Sequence, residues 1–281
     1  MHTFPRGDPV SPGRPEAWKS VAEVPEVLRE PLGRLLLSLA DNKRLLGMRY
    51  SEWILGAPTL EAGIACSAMA QDEWGHGRIL YAMLKDFGYE PGKLEHERES
   101  GEYLNSELLD SPPGDWPTML TLNALLDTAL TIQCEALTES RFSPLHYKVR
   151  KLLDEERFHF DHARGWTTRL AGADGGRQAL AEVFSAATES CLRWFGSASG
   201  EIGAALTAEG IVDGDPDTLR ARWLARVGPM LDQVGLTVSD RAGALDWTEW
   251  DDVRRRSGAG GPDSDTLGRV RGDKNRAMLM D

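Results

Sequence analysis

The sequence has few cysteines, no excess of basic residues and no long apolar run, and each shortage argues against a class of protein. Its three cysteines, Cys66, Cys134 and Cys191, are odd in number and far apart, which argues against a disulfide framework. Lysine and arginine number 32 against 44 acidic residues, and the net charge of −12 argues against a general nucleic-acid binder. No apolar run approaches the ~20 residues that a membrane span needs.

The N-terminal segment is rich in proline and glycine and has no apolar core of the kind found in secretory signals. Together with the cysteine usage, this predicts a cytoplasmic protein that contacts neither nucleic acid nor membrane.

The spacing of apolar residues is helical along most of the chain, and nothing in it resembles a run of strands. Four long helices in two hairpins predict an all-α fold built on a helical bundle. The predicted organisation is an irregular N-terminal arm over 1–23, the bundle over 24–206, C-terminal helices with a docking segment over 207–256, and a flexible tail over 257–281.

Two Glu-x-x-His pairs lie on the apolar stripes of two of these helices. Glu73 and His76 share a stripe with Cys66, Met69, Leu80 and Met83. Glu156 and His159 occupy the same two slots on a later helix, between Leu152 and Ala163. A charged carboxylate in a core is costly unless it is paired or bound to metal.

Di-iron carboxylate bundles combine two such pairs with one carboxylate from each of the other two helices. Asp127, which stands 29 residues before Glu156, supplies the carboxylate of the third helix, whereas Glu135 lies too close to the next turn. On the first helix the equivalent offset falls on Lys43 or Arg44, which cannot ligate a metal as cations. Asp41 is the nearest carboxylate and is the candidate for a displaced sixth ligand.

These motifs resemble those of the catalytic, A-type subunit of bacterial phenylacetyl-CoA epoxidase. The resemblance rests on WILGAPTL, QDEWGHG, EERFH, and GLTVSD followed by LDWTEWDDV. Two other stretches are more similar to the related non-catalytic, C-type subunit, namely RGWTTRL and EGIVDGDPDTLRARW. The resemblance implies a ferritin-like fold, an aromatic acyl-CoA substrate, a homologous structural subunit, an electron-donating reductase and an oligomer.

The resemblance also implies two iron ions held by Glu73, His76, Asp127, Glu156 and His159, with Lys43 at the position of the family's first-helix glutamate. The leading hypothesis is a di-iron monooxygenase that inserts oxygen into an aromatic acyl-CoA. The alternative is a structural or regulatory subunit with an incomplete metal site. Iron storage or peroxide detoxification is a third, weaker hypothesis.

Each of these assignments also has a simpler structural interpretation. The two pairs would also fit a salt-bridged polar cluster in a bundle that once held metal, and Asp127 would fit a helix surface. Lys43 could replace a metal's charge, donate protons as a catalytic residue, or lie in solvent. Thr131 could line an oxygen pocket or bond to its own helix.

Overall fold

The computed structural model describes residues 16–237, 245–273 and 278. The α-helices are α1 (Glu26–Glu52), α2 (Leu60–Leu84), α3 (Pro91–His96), α4 (Trp116–Thr121), α5 (Thr128–Glu135), α6 (Ser143–Ala171), α7 (Gly176–Arg193), α8 (Glu201–Ala208), α9 (Pro216–Asp232) and α10 (Ser264–Arg271). A π-helical segment, Leu122–Asp127, joins α4 to α5. Short 3₁₀ turns lie at Val21–Glu23, Lys85–Phe87, Ser100–Glu102 and Glu107–Leu109. Strands β1 (Trp250–Asp251) and β2 (Arg256–Ser257) form a small antiparallel pair.

The bundle consists of two helical hairpins, and two of its helices, α2 and α4, begin at side-chain caps. Thr59 caps α2, because its side chain accepts a hydrogen bond from the amide of Ala62. Asp115 caps α4 in the same way, accepting from the amide of Thr118 at 2.8 Å. Pro144 occupies the first turn of α6, where a missing N–H costs nothing. α1 and α2 form the first hairpin, and α4–α5 with α6 form the second.

Each helix of the bundle turns one stripe of residues into a common core. The stripe of α1 is fully buried and consists of Leu36, Leu39, Lys43, Leu46 and Tyr50. The stripes of α2 and α6 are those predicted from the sequence, with both Glu-x-x-His pairs buried in them. The prediction of an all-α, ferritin-like fold is confirmed.

The third helix of the bundle differs from a regular α-helix over Leu122–Asp127. In this π-helical segment the backbone bonds span five residues, so the turn widens and the following residues rotate about the axis. Such segments often lie at functional sites. Here the segment ends at Asp127, whose side chain lies in the core between the two hairpins.

Part of the predicted flexible tail over 257–281 forms a helix, α10. α10 buries Leu267 and Val270, and Asp263 caps its first turn. Arg49 donates to the hydroxyl of Thr266 at 2.6 Å and so fixes α10 against α1. The sequence prediction gave too little weight to the cap and to these two apolar residues. Residues 274–277 and 279–281 of that tail lie outside the described residues, as do 1–15 of the N-terminal arm.

The expectations about cysteines and membranes can be compared with the described helices. All three cysteines are buried free thiols. Within the described ranges, no helix combines the length and the apolar character that crossing a membrane would require.

Candidate functional site

The two hairpins bring acidic and imidazole side chains together in the middle of the bundle. Glu73, Asp127, Glu156 and His159 each offer a ligand atom, and these four atoms lie within 4.8 Å of one another. All four side chains are buried, as is that of His76. The cluster therefore has the donor types and the compactness of a site that could hold a metal ion.

Lys43 lies at the centre of this cluster, where it is fully buried. Its Nζ donates to Glu73 Oε1 at 2.8 Å, to Asp127 Oδ1 at 2.9 Å and to Glu156 Oε1 at 2.5 Å. An ammonium group has three donors and no acceptor, so these bonds use all of its protons. Of the sequence alternatives for Lys43, the solvated one does not hold.

The ring centroids of the two histidines lie 6.5 Å apart, and both rings approach the carboxylates. His159 Nδ1 is 3.0 Å from Asp127 Oδ2 and 3.4 Å from Glu73 Oε1. His76 Nε2 is 2.7 Å from Glu155 Oε2. His76 Nδ1 lies 3.1 Å from Glu156 Oε1 without hydrogen-bond geometry. Both imidazoles therefore contact the carboxylates that also surround the ammonium.

A ring of neutral polar groups holds the carboxylates in place. Tyr50 donates to Asp127 Oδ2 at 2.7 Å and accepts from the amide of Asn123 at 3.0 Å. Thr131 donates to the backbone oxygen of Asp127 at 2.8 Å and lies 2.9 Å from Glu156 Oε2. Thr131 thus reaches both its own helix and the cluster. Such outer partners fix the orientation of charged groups.

Tyr50 and Asn123 were missed by the sequence reasoning, although a signal existed for each. Tyr50 lies seven residues after Lys43, two turns along the same face of α1. Asn123 lies four residues before Asp127, and a polar residue at that spacing on a core helix would have indicated a partner.

Asn123 also fixes the state of a neighbouring histidine. Its amide nitrogen donates to the backbone oxygen of His159 at 3.1 Å, so its oxygen is the atom 2.9 Å from His162 Nδ1. His162 must therefore carry its proton on Nδ1. Burial and the positive charge of His159 lower the pKa of His162 to about 4.

Burial and mutual charge act against each other on the ionisable groups of the cluster. Burial alone would lower the pKa of Lys43, but the charges of Asp127, Glu156 and Glu73 hold it well above its ordinary value. Burial favours a neutral Asp127, yet Lys43 and His159 hold the pKa of Asp127 well below its usual range. The ammonium and this carboxylate therefore remain an ion pair at neutral pH.

The remaining groups of the cluster adjust to this pair. Burial raises the pKa of Glu73 to about 7, although Lys43 opposes the shift. Burial disfavours the cation of His159, but hydrogen bonds to Asp127 and Glu73 raise its pKa to about 11. Burial acts against a cationic His76 too, and the interaction with Glu156 outweighs it and raises the pKa of His76. Three carboxylates thus face three groups that favour the cationic form.

Asp41 is not part of the cluster, so its prediction as a displaced sixth ligand is corrected. Its carboxylate forms an ion pair with Arg98 and accepts from Tyr81 at 2.6 Å and from the amide of Leu104 at 2.8 Å. The side chain points from α1 toward the segment after α3, because residues two apart on a helix face different directions. Glu135 pairs with Arg226 at 2.8 Å.

A small recess adjoins the cluster. Its volume is about 10 Å³, and its lining includes Thr131, Glu156, His159, Phe160 and Arg226. A space of this size holds about one water molecule, whereas a cavity that binds benzene measures about 150 Å³. This recess therefore has no room for an aromatic ring.

Comparison with known proteins assigns the chain to a family. The sequence model of the family described as phenylacetic acid catabolic protein matches residues 16–253. The chain belongs to the phenylacetic acid catabolic protein family. This family assignment confirms the resemblance drawn from the sequence motifs.

The chain is similar to two curated proteins from Escherichia coli (strain K12). The C component of 1,2-phenylacetyl-CoA epoxidase is 29% identical over 205 residues, which cover 72% of this chain and 82% of that protein. The A component of the same enzyme is 25% identical over 257 residues, which cover 85% of this chain and 81% of that protein. Both components are named as subunits of the epoxidase, so the chain is related to epoxidase subunits of both kinds.

The residues present do not fit the two-iron site that the resemblance implies, because the ammonium of Lys43 lies in the middle of the cluster. The ammonium has no lone pair for a metal, and it takes one oxygen each from Glu73, Asp127 and Glu156. The second oxygen of Asp127 accepts from Tyr50, and the second oxygen of Glu156 lies 2.9 Å from the hydroxyl of Thr131. Among the described residues of the cluster, Glu73 Oε2 and His76 Nδ1 lack hydrogen-bond partners.

Proposed function

We propose that this chain is a non-catalytic subunit of a multi-subunit epoxidase that acts on an aromatic acyl-CoA thioester. In this role it supports a homologous catalytic subunit, and a separate reductase delivers the electrons. The observation that carries the proposal is the contact of Lys43 Nζ with three carboxylates at the position where the catalytic relatives are expected to hold metal.

The charge of Lys43 supports this role. A buried carboxylate cluster needs compensating positive charge, which either metal ions or cationic side chains can supply. Here Lys43 supplies it through three short ion pairs with side chains that are 2% exposed or less. The cluster can therefore remain folded as a structural core without metal.

The small size of the recess beside the cluster supports the same conclusion. The adjoining recess of about 10 Å³ cannot accept an aromatic ring. A catalytic subunit would need to place the ring within reach of the reactive centre.

The relatives support the partnership. Both are named as subunits of one epoxidase, and the matches cover most of each protein. We therefore infer that a catalytic subunit of the A kind is the direct partner of this chain, within a cytoplasmic complex.

The test measures oxygen consumption with phenylacetyl-CoA after anaerobic loading with ferrous iron. We expect no substrate-dependent consumption by this chain with a reductase alone. We expect consumption once an A-type subunit from the same organism is added, and a complex of the two subunits by size-exclusion chromatography. Substrate-dependent consumption by this chain and reductase, without the A-type subunit, would overturn the proposal.

A second candidate keeps the catalytic role, with this chain as an iron-dependent monooxygenase. It is favoured by Glu73 Oε2 and His76 Nδ1, which are buried and lack hydrogen-bond partners among the described residues. Such atoms commonly indicate a ligand or water. This candidate requires Lys43 to move aside, so it predicts at least about one iron per chain after ferrous loading and desalting.

A further inference from the structure

The position of Lys43 has a consequence for what the cluster could bind. Five of the six groups of a two-metal carboxylate centre are present: Glu73, His76, Asp127, Glu156 and His159. The sixth position, on the stripe of α1, holds the lysine. Its Nζ lies 2.5–2.9 Å from one oxygen of each carboxylate, so the ammonium fills the space between the ligands.

We infer that Lys43 alone closes a latent two-metal site, and that the substitution Lys43→Glu opens it to divalent transition-metal ions such as Fe²⁺ or Mn²⁺. This inference rests on the proposed function, because it treats Lys43 as the cation that replaces the metal. It goes further by assigning the loss of metal to one residue, with the other ligands still in place.

The relative lengths of the two side chains support metal binding after the substitution Lys43→Glu. Glutamate is one bond shorter than lysine, so its carboxylate oxygen ends about 1.5 Å short of the position of Nζ. A metal–oxygen bond is about 2.0–2.2 Å long. A metal bound to Glu at position 43 would therefore lie close to the present ammonium, within reach of Glu73, Asp127 and Glu156.

Charge and free donor atoms support it as well. The substitution removes one positive charge and adds one negative charge, so four carboxylates would face two imidazoles. That set is typical of the di-metal helical bundles. Removing Nζ also frees three carboxylate oxygens from their hydrogen bonds to the lysine, and Glu73 Oε2 and His76 Nδ1 already lack hydrogen-bond partners. These atoms become available as metal ligands.

The surrounding groups already hold the ligands in a fixed arrangement. Tyr50 donates to Asp127 and Thr131 lies 2.9 Å from Glu156 Oε2, and neither contact involves Lys43. Outer partners of this kind are a large part of what a metal site requires. We therefore expect the single substitution Lys43→Glu to be sufficient for metal binding.

The experiment compares metal content per chain by plasma mass spectrometry after anaerobic loading with Fe²⁺ or Mn²⁺ and desalting. The variants are K43E and K93E, the latter carrying the same charge change on an exposed lysine. We expect about two metals per chain for K43E and less than about 0.2 for the wild type and K93E. The melting temperature of K43E should rise by at least about 5 °C with metal, since the ions bind the folded state.

A third variant decides the matter if K43E does not fold with or without metal. K43Q carries a neutral oxygen donor without adding charge, and we expect about one metal per chain. The inference is overturned if folded K43E binds no more metal than the wild type, or if K43E fails to fold and K43Q stays metal-free.

The test separates this inference from the proposed function. Wild-type chain that loads about two metals overturns both. A metal-free wild type whose K43E variant is also metal-free overturns only the inference, and oxygen consumption by the wild type alone overturns only the function.

Discussion

Lys43 and Glu73 lie 30 residues apart in the chain, yet Nζ donates to Oε1 at 2.8 Å between two side chains that are fully buried. The contact joins the first hairpin across its own interior, and the same ammonium reaches Asp127 and Glu156 of the second hairpin. One side chain therefore ties both halves of the bundle together.

Removing this ammonium should destabilise the fold strongly. Lys43→Met keeps the volume but leaves three carboxylates without their shared cation, which should cost about 3–5 kcal/mol of unfolding free energy. Urea denaturation at neutral pH measures the loss. The matched control is Lys93→Met, on a lysine that is 62% exposed, with an expected change within about 0.5 kcal/mol. Equal effects at both positions would contradict the assigned role of Lys43.

The phenol of Tyr50 should contribute through one charged hydrogen bond. Tyr50→Phe removes the donor to Asp127 Oδ2 and an acceptor for Asn123, which should lower the unfolding free energy by about 2 kcal/mol. Tyr147→Phe is the control, because that ring is 73% exposed and should lose almost nothing. A loss below about 0.5 kcal/mol for Tyr50→Phe would show that the bond is not formed.

The pKa of His162 should make stability depend on pH in the acidic range. Its pKa is about 4 in the folded protein, against about 6.5 for an unperturbed histidine. The contribution is fully present above about pH 6.5 and is lost as the pH falls toward 4, because the unfolded chain binds the proton first. His162→Gln can still donate to Asn123 but does not titrate.

Urea denaturation of both proteins between pH 7 and pH 4 checks this dependence. The wild type should lose up to about 3 kcal/mol more than His162→Gln across that interval. Parallel profiles for the two proteins would contradict the lowered pKa.

Two glycines of α2 should respond in opposite directions to the same substitution. A Cβ at Gly63 would lie 2.3 Å from the backbone oxygen of Ile54, so Gly63→Ala must displace the preceding loop and should cost about 1–3 kcal/mol. A Cβ at Gly75 would meet nothing within 4 Å, so Gly75→Ala should stabilise the helix by about 0.5–1 kcal/mol. Thermal denaturation of both variants gives the signs, and a stabilised Gly63→Ala would contradict the close approach.

The corrected role of Asp41 leads to its own test. Asp41→Asn weakens a buried ion pair with Arg98 and should cost about 3–5 kcal/mol, measured by urea denaturation. Asp265→Asn, in an exposed pair with Arg269, should cost less than about 1 kcal/mol. Metal binding by the K43E variant should be unchanged when Asp41→Asn is added. Loss of metal in that double variant would restore Asp41 as a ligand.

Periodicity predicted more of this site than composition did. The positions of Glu73, His76, Glu156 and His159 on two core stripes followed from helical spacing, because residues three or four apart lie on one face. Asp127 followed from the offset between paired helices, although a π-helical segment that the spacing did not predict ends at that residue. The C-terminal helix was missed, since its stability comes from Arg49 and other distant residues.

The sequence by itself determined the all-α bundle, the inward stripes and a basic residue, Lys43 or Arg44, at the sixth ligand position. Each of these is a local property, set by helical spacing and chain order. Only the tertiary structure decided that Lys43 turns inward to three carboxylates while Asp41 turns away to Arg98. The physical reason is that a buried charge takes the partner that packing brings within reach, and such partners lie far away in sequence.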